Sequence, residues 1–200
     1  MRRQFFALSL LALLPLPAAA HHPMDGGMPQ TLWQGFASGI GHPVIGLDHL
    51  AFLLAAGVLA AALQRSEAFR AIAGFLAAGM LGLTLHMAGI GLGMTEALIA
   101  ASVLLAGVAL LVAKRVSAPA LLLGFALAGL FHGHAFAEAV IGAEATPIIA
   151  YLVGLAVIQG GLMLGAMALA GATRAPWLRP AMGAAASFVG LGFLVGALVG

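Results

Sequence analysis

The sequence predicts an all-α, polytopic membrane protein, namely a six-transmembrane-helix bundle that follows a cleaved N-terminal signal peptide. Apolar residues make up 63% of the chain and charged residues 7%, whereas soluble domains contain roughly 25% charged residues. The mean hydropathy is +1.14. Apolar runs of spanning length recur along the chain and are separated by short polar or Pro/Gly-marked breaks. The lipid bilayer is therefore the expected environment of most of the chain.

The N-terminus has the pattern of a secretory signal peptide. Two arginines precede an apolar run over 5–14, and the alanines at 18–20 form an Ala-x-Ala cleavage site. Two prolines interrupt the run, which is shorter than the ~20 residues that a membrane span needs. We expect residues 1–20 to be removed, residues 21–34 to form an exported tail and residues 35–200 to form the transmembrane domain.

Six apolar runs of spanning length follow, at 35–63, 69–92, 95–113, 118–140, 147–170 and 181–199. Lys and Arg occur in the first, third and fifth breaks between these runs, whereas the second and fourth breaks contain acids and neither basic residue. Positively charged residues favour the cytoplasmic side of a membrane. We therefore expect a multi-pass protein of the bacterial inner membrane with both termini of the mature chain outside.

The composition excludes several classes of function. The chain has no cysteine, so imidazole, carboxylate, thioether or backbone oxygen must hold any metal. The eight Lys and Arg are scattered and the net charge is +2, which leaves no basic stripe for nucleic acid. The sequence also lacks G-x-x-x-x-G-K-[ST], the phosphate-binding loop of many ATPases.

Glycine pairs at small-xxx-small spacing occur in three of the runs, at Gly35/Gly39, Gly161/Gly165 and Gly192/Gly196. This spacing lets the backbones of neighbouring helices approach closely. We expect these glycines to pack helices within the bundle, and the same faces are candidate contacts of a homo-oligomer.

Histidines and acids are concentrated in the outer halves of the predicted spans. An ionisable side chain near the bilayer centre costs roughly 2.5–3.5 kcal/mol on insertion scales, so a cluster at one depth favours a shared compensating partner, and a cation is the simplest one. The residues concerned are His42, Asp48 and His49 in the first run, His86 in the second, Glu96 at the start of the third, and His132, His134 and Glu138 at the end of the fourth.

The spacing of these residues supports a metal site. His42 and His49 are seven residues apart and share a helical face, while a proline and a glycine between them predict a local break. His134 and Glu138 are four residues apart and also share a face, whereas His132 points elsewhere in a regular helix. Imidazole nitrogen and carboxylate oxygen suit nickel, cobalt or zinc better than magnesium or calcium.

Some of these residues have ordinary structural interpretations. His86 suits an interhelical hydrogen bond as well as a metal ion, and Glu96 suits stabilisation of a helix N-terminus by the helix dipole. Other residues are harder to explain by packing. Asp48 and His49 lie at the same predicted depth as the polar residues of 132–138 on another helix, and apolar packing gives no reason for this match.

Three segments are distinctive: "HPVIGLDH" at 42–49, "TEALIAASVLL" at 95–105 and "FHGHAFAEAVIGAEATPIIAYLVG" at 131–154. Together they resemble the HupE/UreJ family, small bacterial membrane proteins regarded as nickel permeases associated with hydrogenase and urease gene clusters. The resemblance covers nearly the whole mature chain. It implies a metal site formed by His42, Asp48, His49, Glu96, His132 and Glu138. The helix that carries the last two varies within the family, so the resemblance supports His134 less than His132.

Cleavage after Ala20 would begin the mature chain with the sequence His-His-Pro-Met-Asp. A free α-amine beside two imidazoles is a chelating group for a first-row divalent ion, and Ni(II) binds such groups more strongly than Mn(II), Fe(II) or Co(II). His21 and His22 are therefore further candidate metal ligands, together with His86 and His134. The alternative is a polar spacer in which the histidines have no role.

The leading hypothesis is a secondary permease, which is not an enzyme and holds no permanent cofactor. The tail or outer surface would capture Ni²⁺, with Co²⁺ as an alternative ion, and the intramembrane cluster would accept it and pass it inward. Two other functions stay open. An intramembrane zinc-dependent hydrolase would use ligands from His42, His49 and His132, with Asp48 or Glu138 as the base. A haem-binding membrane subunit would use histidines on two helices.

Overall fold

The computed structural model describes residues 27–112, 116–173 and 175–199. The predicted signal peptide and the tail histidines His21 and His22 lie outside these residues. Within the described part of the chain the secondary structure is helical and contains no strand. The helices are α1 (Leu32–Ile45), α2 (Leu47–Ala60), α3 (Arg65–Met87), α4 (Thr95–Leu111), α5 (Ala118–Phe136), α6 (Ala145–Thr173) and α7 (Leu178–Val199), and a 3₁₀ turn (Ala137–Ala139) follows α5.

The first predicted span is a broken helix. α1 ends at Ile45, Gly46 adopts an extended backbone conformation and α2 begins directly afterwards, with a bend of 79° between the two helices. Pro43 lies inside α1 and has no N–H to donate to the preceding turn. The local break that the sequence predicted between the two histidines is thus confirmed, and it lies at Gly46.

The structure supports four or five membrane-spanning helices by length and composition. α3, α6, α7 and α5 with its 3₁₀ turn are each long and apolar enough to cross a membrane, and the bent pair of α1 and α2 makes a fifth candidate. α4 has 17 residues and is a shorter apolar helix. At 1.5 Å per residue it is about 26 Å long, slightly less than the ~30 Å of a hydrocarbon core. Each of the six predicted runs therefore contains helix. The structure supports four or five membrane spans by length and composition, and the predicted number of six is not confirmed.

Close helix crossings occur where glycine stands at the contact. α3 packs on α5, α4 on α7 and α1 on α6. A Cβ at Gly82 in α3 would collide with the Leu130 carbonyl oxygen of α5, and one at Gly39 in α1 with the Tyr151 carbonyl oxygen of α6. Gly35 meets the backbone of α6 in the same way. The predicted packing role of the Gly35/Gly39 pair is therefore confirmed within one chain.

The prediction that all three glycine pairs pack within the bundle is wrong for Gly161 and Gly165. A Cβ at either position, or at Gly196, would meet no heavy atom within 4 Å. Both glycines of this pair line an apolar groove of about 360 Å³ between α2, α6 and α7, so their missing side chains leave open space and not a close helix contact. A homo-oligomer through these faces stays a prediction.

Arg179 connects the start of α7 to the end of α4, and each of these helix ends borders one of the basic breaks. The Arg179 guanidinium, at the start of α7, donates to the carbonyl oxygens of Leu110 at 3.0 Å, Ala109 at 3.2 Å and Val112 at 3.3 Å. These carbonyls belong to the last turn of α4 and to the residue that follows it, where they have no partner within the helix. The third and fifth breaks therefore lie at the same end of the bundle, in agreement with the charge pattern.

Buried apolar side chains form two clusters. The larger one surrounds Phe52, Phe75 and Phe125 on α2, α3 and α5, and the smaller one contains Phe136 and Tyr151 at the ends of α5 and α6. The polar side chains described next lie between these two clusters, and most of them come from the residues that the sequence singled out.

Candidate functional site

The break between α1 and α2 brings two histidines together. His42 lies in the last turn of α1 and His49 in the first turn of α2, and their ring centroids are 5.9 Å apart with the planes at 78°. A Cβ at Gly46 would lie 2.6 Å from Cδ2 of His49. The absence of a side chain at this position therefore makes room for the His49 imidazole beside the broken backbone.

His42 is hydrogen-bonded to a hydroxyl group of α6. Its Nδ1 lies 3.0 Å from Oη of Tyr151, and the Tyr151 hydroxyl donates to the Phe136 carbonyl oxygen at 2.8 Å. A hydroxyl group has one hydrogen to donate, and the carbonyl oxygen can only accept it. Nδ1–H of His42 therefore donates to Tyr151, and in the neutral ring the lone pair lies on Nε2.

A second chain of hydrogen bonds joins α2, α5 and α4. Nδ1 of His49 lies 2.9 Å from Nδ1 of His132, Nε2 of His132 lies 3.0 Å from Oγ of Ser102, and the Ser102 hydroxyl donates to the Ile99 carbonyl oxygen at 2.7 Å. Because the serine hydrogen goes to the carbonyl, Nε2–H of His132 donates to Ser102. The lone pair of a neutral His132 then lies on Nδ1 and accepts from Nδ1–H of His49.

Asp48 supplies the negative charge beside this pair of histidines. It is half-buried in the first turn of α2, and its Oδ1 accepts a hydrogen bond from the backbone N–H of His49 at 2.8 Å. A carboxylate in the first turn interacts favourably with the helix dipole. The same group would also compensate a cation that approached the break.

Aromatic rings enclose the histidine cluster. The Phe136 ring centroid lies 5.0 Å from that of His42 and 4.4 Å from that of His49, and the Phe52 ring lies 4.7 Å from that of His132. His132 is 1% exposed. Electrostatic interactions are strong in such a water-poor environment, so charge changes in this cluster have large energetic consequences.

His86 and His134 form a separate pair at the ends of α3 and α5. Their rings stack with centroids 4.1 Å apart. Nδ1–H of His86 donates to the His134 carbonyl oxygen at 2.7 Å, and Nε2–H of His134 donates to the Ile90 carbonyl oxygen at 3.1 Å. Nδ1 of His134 lies 3.5 Å from Oγ1 of Thr95 at the start of α4. His86 thus makes the interhelical hydrogen bond that was one of its two interpretations, and this pair ties the α3–α4 loop to α5.

Two of the three acids predicted as ligands, Glu96 and Glu138, lie at the surface. Glu96 is in the first turn of α4, and Glu138 is in the 3₁₀ turn, beyond the end of the regular helix that carries His134. Both are exposed, and neither carboxylate forms a hydrogen bond or ion pair within the described ranges. The structure thus brings together His42, His49 and His132 with Asp48 beside them. Among the residues that the structure describes, however, it contains no ready-made group of three His, Asp or Glu that could hold a metal ion.

Sequence reasoning missed two residues of the cluster, Tyr151 and Ser102. Tyr151 is the only tyrosine in the sequence and is 0% exposed within the helix α6. A lone polar aromatic residue in an apolar span was an available signal, because a buried tyrosine hydroxyl needs a partner. Ser102 offered no comparable signal, since serine is common in membrane helices.

Comparison with known proteins identifies the family. Residues 8–193 match the family described as HupE / UreJ protein. The chain is also 28% identical to "Protein HupE" of Rhizobium leguminosarum bv. viciae over 187 residues, which cover 93% of this chain and 95% of that relative. No solved structure matches the chain. The match includes all the helices that carry the histidine cluster and confirms the resemblance read from the sequence, so this protein belongs to the HupE/UreJ family.

Proposed function

We propose that this protein is a permease that imports a divalent transition-metal ion, most favourably Ni²⁺, for the maturation of metalloenzymes. The observation that carries the proposal is the meeting of His42, His49 and His132 at a helix break, beside the carboxylate of Asp48. Broken helices of this kind commonly form the ion sites of secondary transporters, because their interrupted backbone and helix ends face the ion. Membership of the HupE/UreJ family supports the same function.

The chemistry of the donor set favours nickel or cobalt as the transported ion. Imidazole nitrogens with a single carboxylate suit late first-row divalent ions, whereas Mg²⁺ and Ca²⁺ prefer shells of oxygen. With no cysteine in the chain, the soft thiolate ligands that select Cu(I) are missing. Nickel is preferred over cobalt by the general affinity order of divalent ions.

The exposed acids fit a role in attracting the ion. Glu96 and Glu138 lie one and four residues from Thr95 and His134, whose side chains approach each other at the same end of the bundle. Surface carboxylates raise the local concentration of cations without binding them in a fixed geometry. We infer that these two acids, with the tail histidines, supply the ion to the cluster of His42, His49 and His132.

The proposed topology has six spans with the bent pair of α1 and α2 as the first. α4 then spans the membrane despite its 17 residues, since small mismatches are accommodated by local thinning of the bilayer. The basic breaks would face the cytoplasm and both termini of the mature chain would lie outside, after removal of residues 1–20. In this orientation the histidine cluster is reached from the periplasmic side.

The membrane potential is a sufficient source of energy. A divalent cation gains about 4.6 kcal/mol when it crosses 100 mV toward a negative interior, twice the value for one charge. The described helices carry no phosphate-binding loop, so uptake driven by the potential, or by trapping of the ion inside the cell, fits the sequence. Proton or sodium coupling would add to this gradient.

The experiment is accumulation of ⁶³Ni by cells that lack other nickel importers. We expect the wild-type protein to raise uptake at sub-micromolar nickel, and His42→Ala or His49→Ala to abolish the increase while membrane immunoblots show equal amounts of protein. An excess of Co²⁺ should compete, and an excess of Mg²⁺ should not. Wild-type protein that is inserted but does not raise uptake of either metal would contradict the proposal, and a Soret band in purified protein would favour the haem-binding alternative.

A further inference from the structure

Two hydroxyl groups that lie outside the predicted ligand set contact the histidine cluster from opposite sides. The Tyr151 hydroxyl on α6 accepts from His42, and the Ser102 hydroxyl on α4 accepts from His132. Each hydroxyl hydrogen is donated to a backbone carbonyl oxygen, that of Phe136 at 2.8 Å and that of Ile99 at 2.7 Å. Both hydroxyl oxygens are therefore left as acceptors toward the imidazoles.

This arrangement determines the tautomer of each neutral histidine. An oxygen that has donated its hydrogen elsewhere requires its partner to donate, so His42 carries its hydrogen on Nδ1 and His132 carries it on Nε2. Tyr151 is 0% exposed and His132 is 1% exposed, so one partner of each hydrogen bond is shielded from bulk solvent. Loss of one hydroxyl would leave a buried or half-buried N–H group without its acceptor in the protein, which is energetically costly.

We propose that Tyr151 and Ser102 are positioning residues for the transported cation, because they determine which nitrogen of His42 and His132 bears the lone pair. This inference rests on the proposed function. Only a nitrogen with a lone pair can bind a metal ion, and hydrogen bonds to the other ring nitrogen are the usual means by which proteins orient histidine ligands. Tyr151 thereby directs Nε2 of His42, and Ser102 directs Nδ1 of His132, to the ion.

The geometry distinguishes the two nitrogens of His132. Nδ1 accepts from His49 across the 2.9 Å contact, so an arriving cation competes with one hydrogen bond for this lone pair. Nε2 donates to Ser102, on the side of the ring away from His49. Because Nε2–H is bonded to the Ser102 hydroxyl, the nitrogen of His132 that can bind a cation is Nδ1, on the side of the ring that faces α2.

The first experiment measures Ni²⁺ binding and ⁶³Ni uptake in single variants. Ser102→Ala and Tyr151→Phe remove the hydroxyl groups, and Ser102→Thr retains one. Substitution of groups that orient metal ligands typically weakens metal affinity about 10- to 100-fold. We expect Ser102→Ala and Tyr151→Phe to weaken Ni²⁺ binding in a chelator competition assay by this factor, to raise the KM of uptake similarly and to leave the maximal rate nearly unchanged, whereas Ser102→Thr should restore affinity.

Ser187→Ala is the matched control. The Ser187 hydroxyl lies on α7, is also buried, and has no hydrogen-bond partner within the described residues. The same serine-to-alanine change at this position should leave Ni²⁺ affinity within about twofold of wild type, as expected for a site that contacts no ligand histidine. An equal loss of affinity in Ser187→Ala and Ser102→Ala would show that general packing, and not the hydroxyl acceptor, is responsible.

The second experiment observes the tautomers directly in metal-free protein. Solid-state NMR of ¹⁵N-histidine-labelled protein in lipid bilayers separates Nδ1–H from Nε2–H rings. The wild-type spectrum should contain an Nδ1–H signal that His42→Asn removes and that Tyr151→Phe converts to the Nε2–H form. An unchanged tautomer in Tyr151→Phe, or wild-type affinity in both hydroxyl variants, would overturn the inference while leaving nickel import intact. Absence of Ni²⁺ binding by the wild-type protein would instead refute the permease proposal. The tautomer measurement does not depend on that proposal.

Discussion

Nδ1 of His49 and Nδ1 of His132 lie 2.9 Å apart, although 83 residues separate them in the chain. α2 packs mainly on α4, α6 and α7, and α5 packs mainly on α3 and α4. The two histidines therefore connect helices whose closest backbone contacts are with other helices. A movement of the α3–α5 pair relative to α2 would change this distance directly, which makes the contact a suitable point for coupling between the bundle and a bound ion.

Gly46→Ala should impair uptake without preventing insertion. The added Cβ would lie 2.6 Å from Cδ2 of His49, so the imidazole must shift from the position in which it contacts His132. Displacement of a ligand-orienting contact weakens metal binding by about 10- to 100-fold, and we expect a rise of this size in the nickel concentration that gives half-maximal uptake.

Gly124→Ala on α5 is the control for this change, because a Cβ there would meet no heavy atom within 4 Å. Uptake by Gly124→Ala should match that of the wild type. If Gly46→Ala also retained wild-type uptake, the position of the His49 ring beside the break would not matter for transport.

Asp48→Asn should abolish nickel uptake while the protein stays in the membrane. Asparagine retains an oxygen that can accept from the His49 N–H at 2.8 Å, but it removes the negative charge that compensates a dication in a water-poor site. The measurement is ⁶³Ni accumulation at sub-micromolar metal, normalised to membrane immunoblots.

Glu144→Gln removes a charge of the same sign from an exposed position in the α5–α6 connection. We expect a far smaller loss of uptake than in Asp48→Asn, since the Glu144 carboxylate is exposed, and salt weakens its attraction for a cation. Normal uptake by Asp48→Asn would remove this residue from the proposed site.

The double variant His21→Ala/His22→Ala should separate capture from translocation. If the tail only raises the local metal concentration, uptake should fall when nickel is scarce and approach the wild-type rate when nickel is plentiful. Uptake is measured over a range of nickel concentrations, and N-terminal sequencing confirms that cleavage is unaffected. Loss of transport at saturating nickel in a correctly processed protein would assign the tail to the translocation site.

Gly82→Ala should destabilise the bundle, and Gly74→Ala on the same helix should not. A Cβ at Gly82 would collide with the Leu130 carbonyl oxygen, whereas a Cβ at Gly74 would meet nothing within 4 Å. Overpacking of this kind costs about 1–3 kcal/mol, while replacement of an unpacked helical glycine by alanine gains up to about 1 kcal/mol. Thermal denaturation of both purified variants, followed by circular dichroism, checks the difference, and equal midpoints would contradict the proposed close contact of α3 with α5.

Composition and spacing were sufficient to predict most of the architecture. A chain with so many apolar residues cannot expose them to water, and in a bilayer the backbone must satisfy its own hydrogen bonds, so helices were the expected solution. Pro43 and Gly46 also predicted the break in the first helix, because proline removes a helical hydrogen bond. The family was recognisable for a related reason: its distinctive residues lie in short continuous segments.

Other features depend on contacts between distant segments. The predicted ligands Glu96 and Glu138 were grouped with the histidines by depth, by spacing and by the family resemblance. Their side chains are nevertheless exposed, because neither depth nor spacing along one helix specifies how that helix is rotated against its neighbours. The partners of His42 and His132, Tyr151 and Ser102, were not predicted at all. Each hydrogen bond joins residues on helices that are distant in sequence, and helix periodicity contains no information about such pairs.

The sequence by itself therefore determined that this chain is a helical membrane protein with histidines and acids at one depth, because hydropathy and local spacing are properties of a continuous segment. Only the tertiary structure decided which of those histidines meet. That outcome depends on the close glycine-mediated crossings of α3 with α5 and α1 with α6, and on the 79° bend after α1. These long-range packing contacts also fix the hydrogen-bond directions that set the tautomers of His42 and His132, since a hydroxyl can orient an imidazole only when the fold places the two within hydrogen-bond distance.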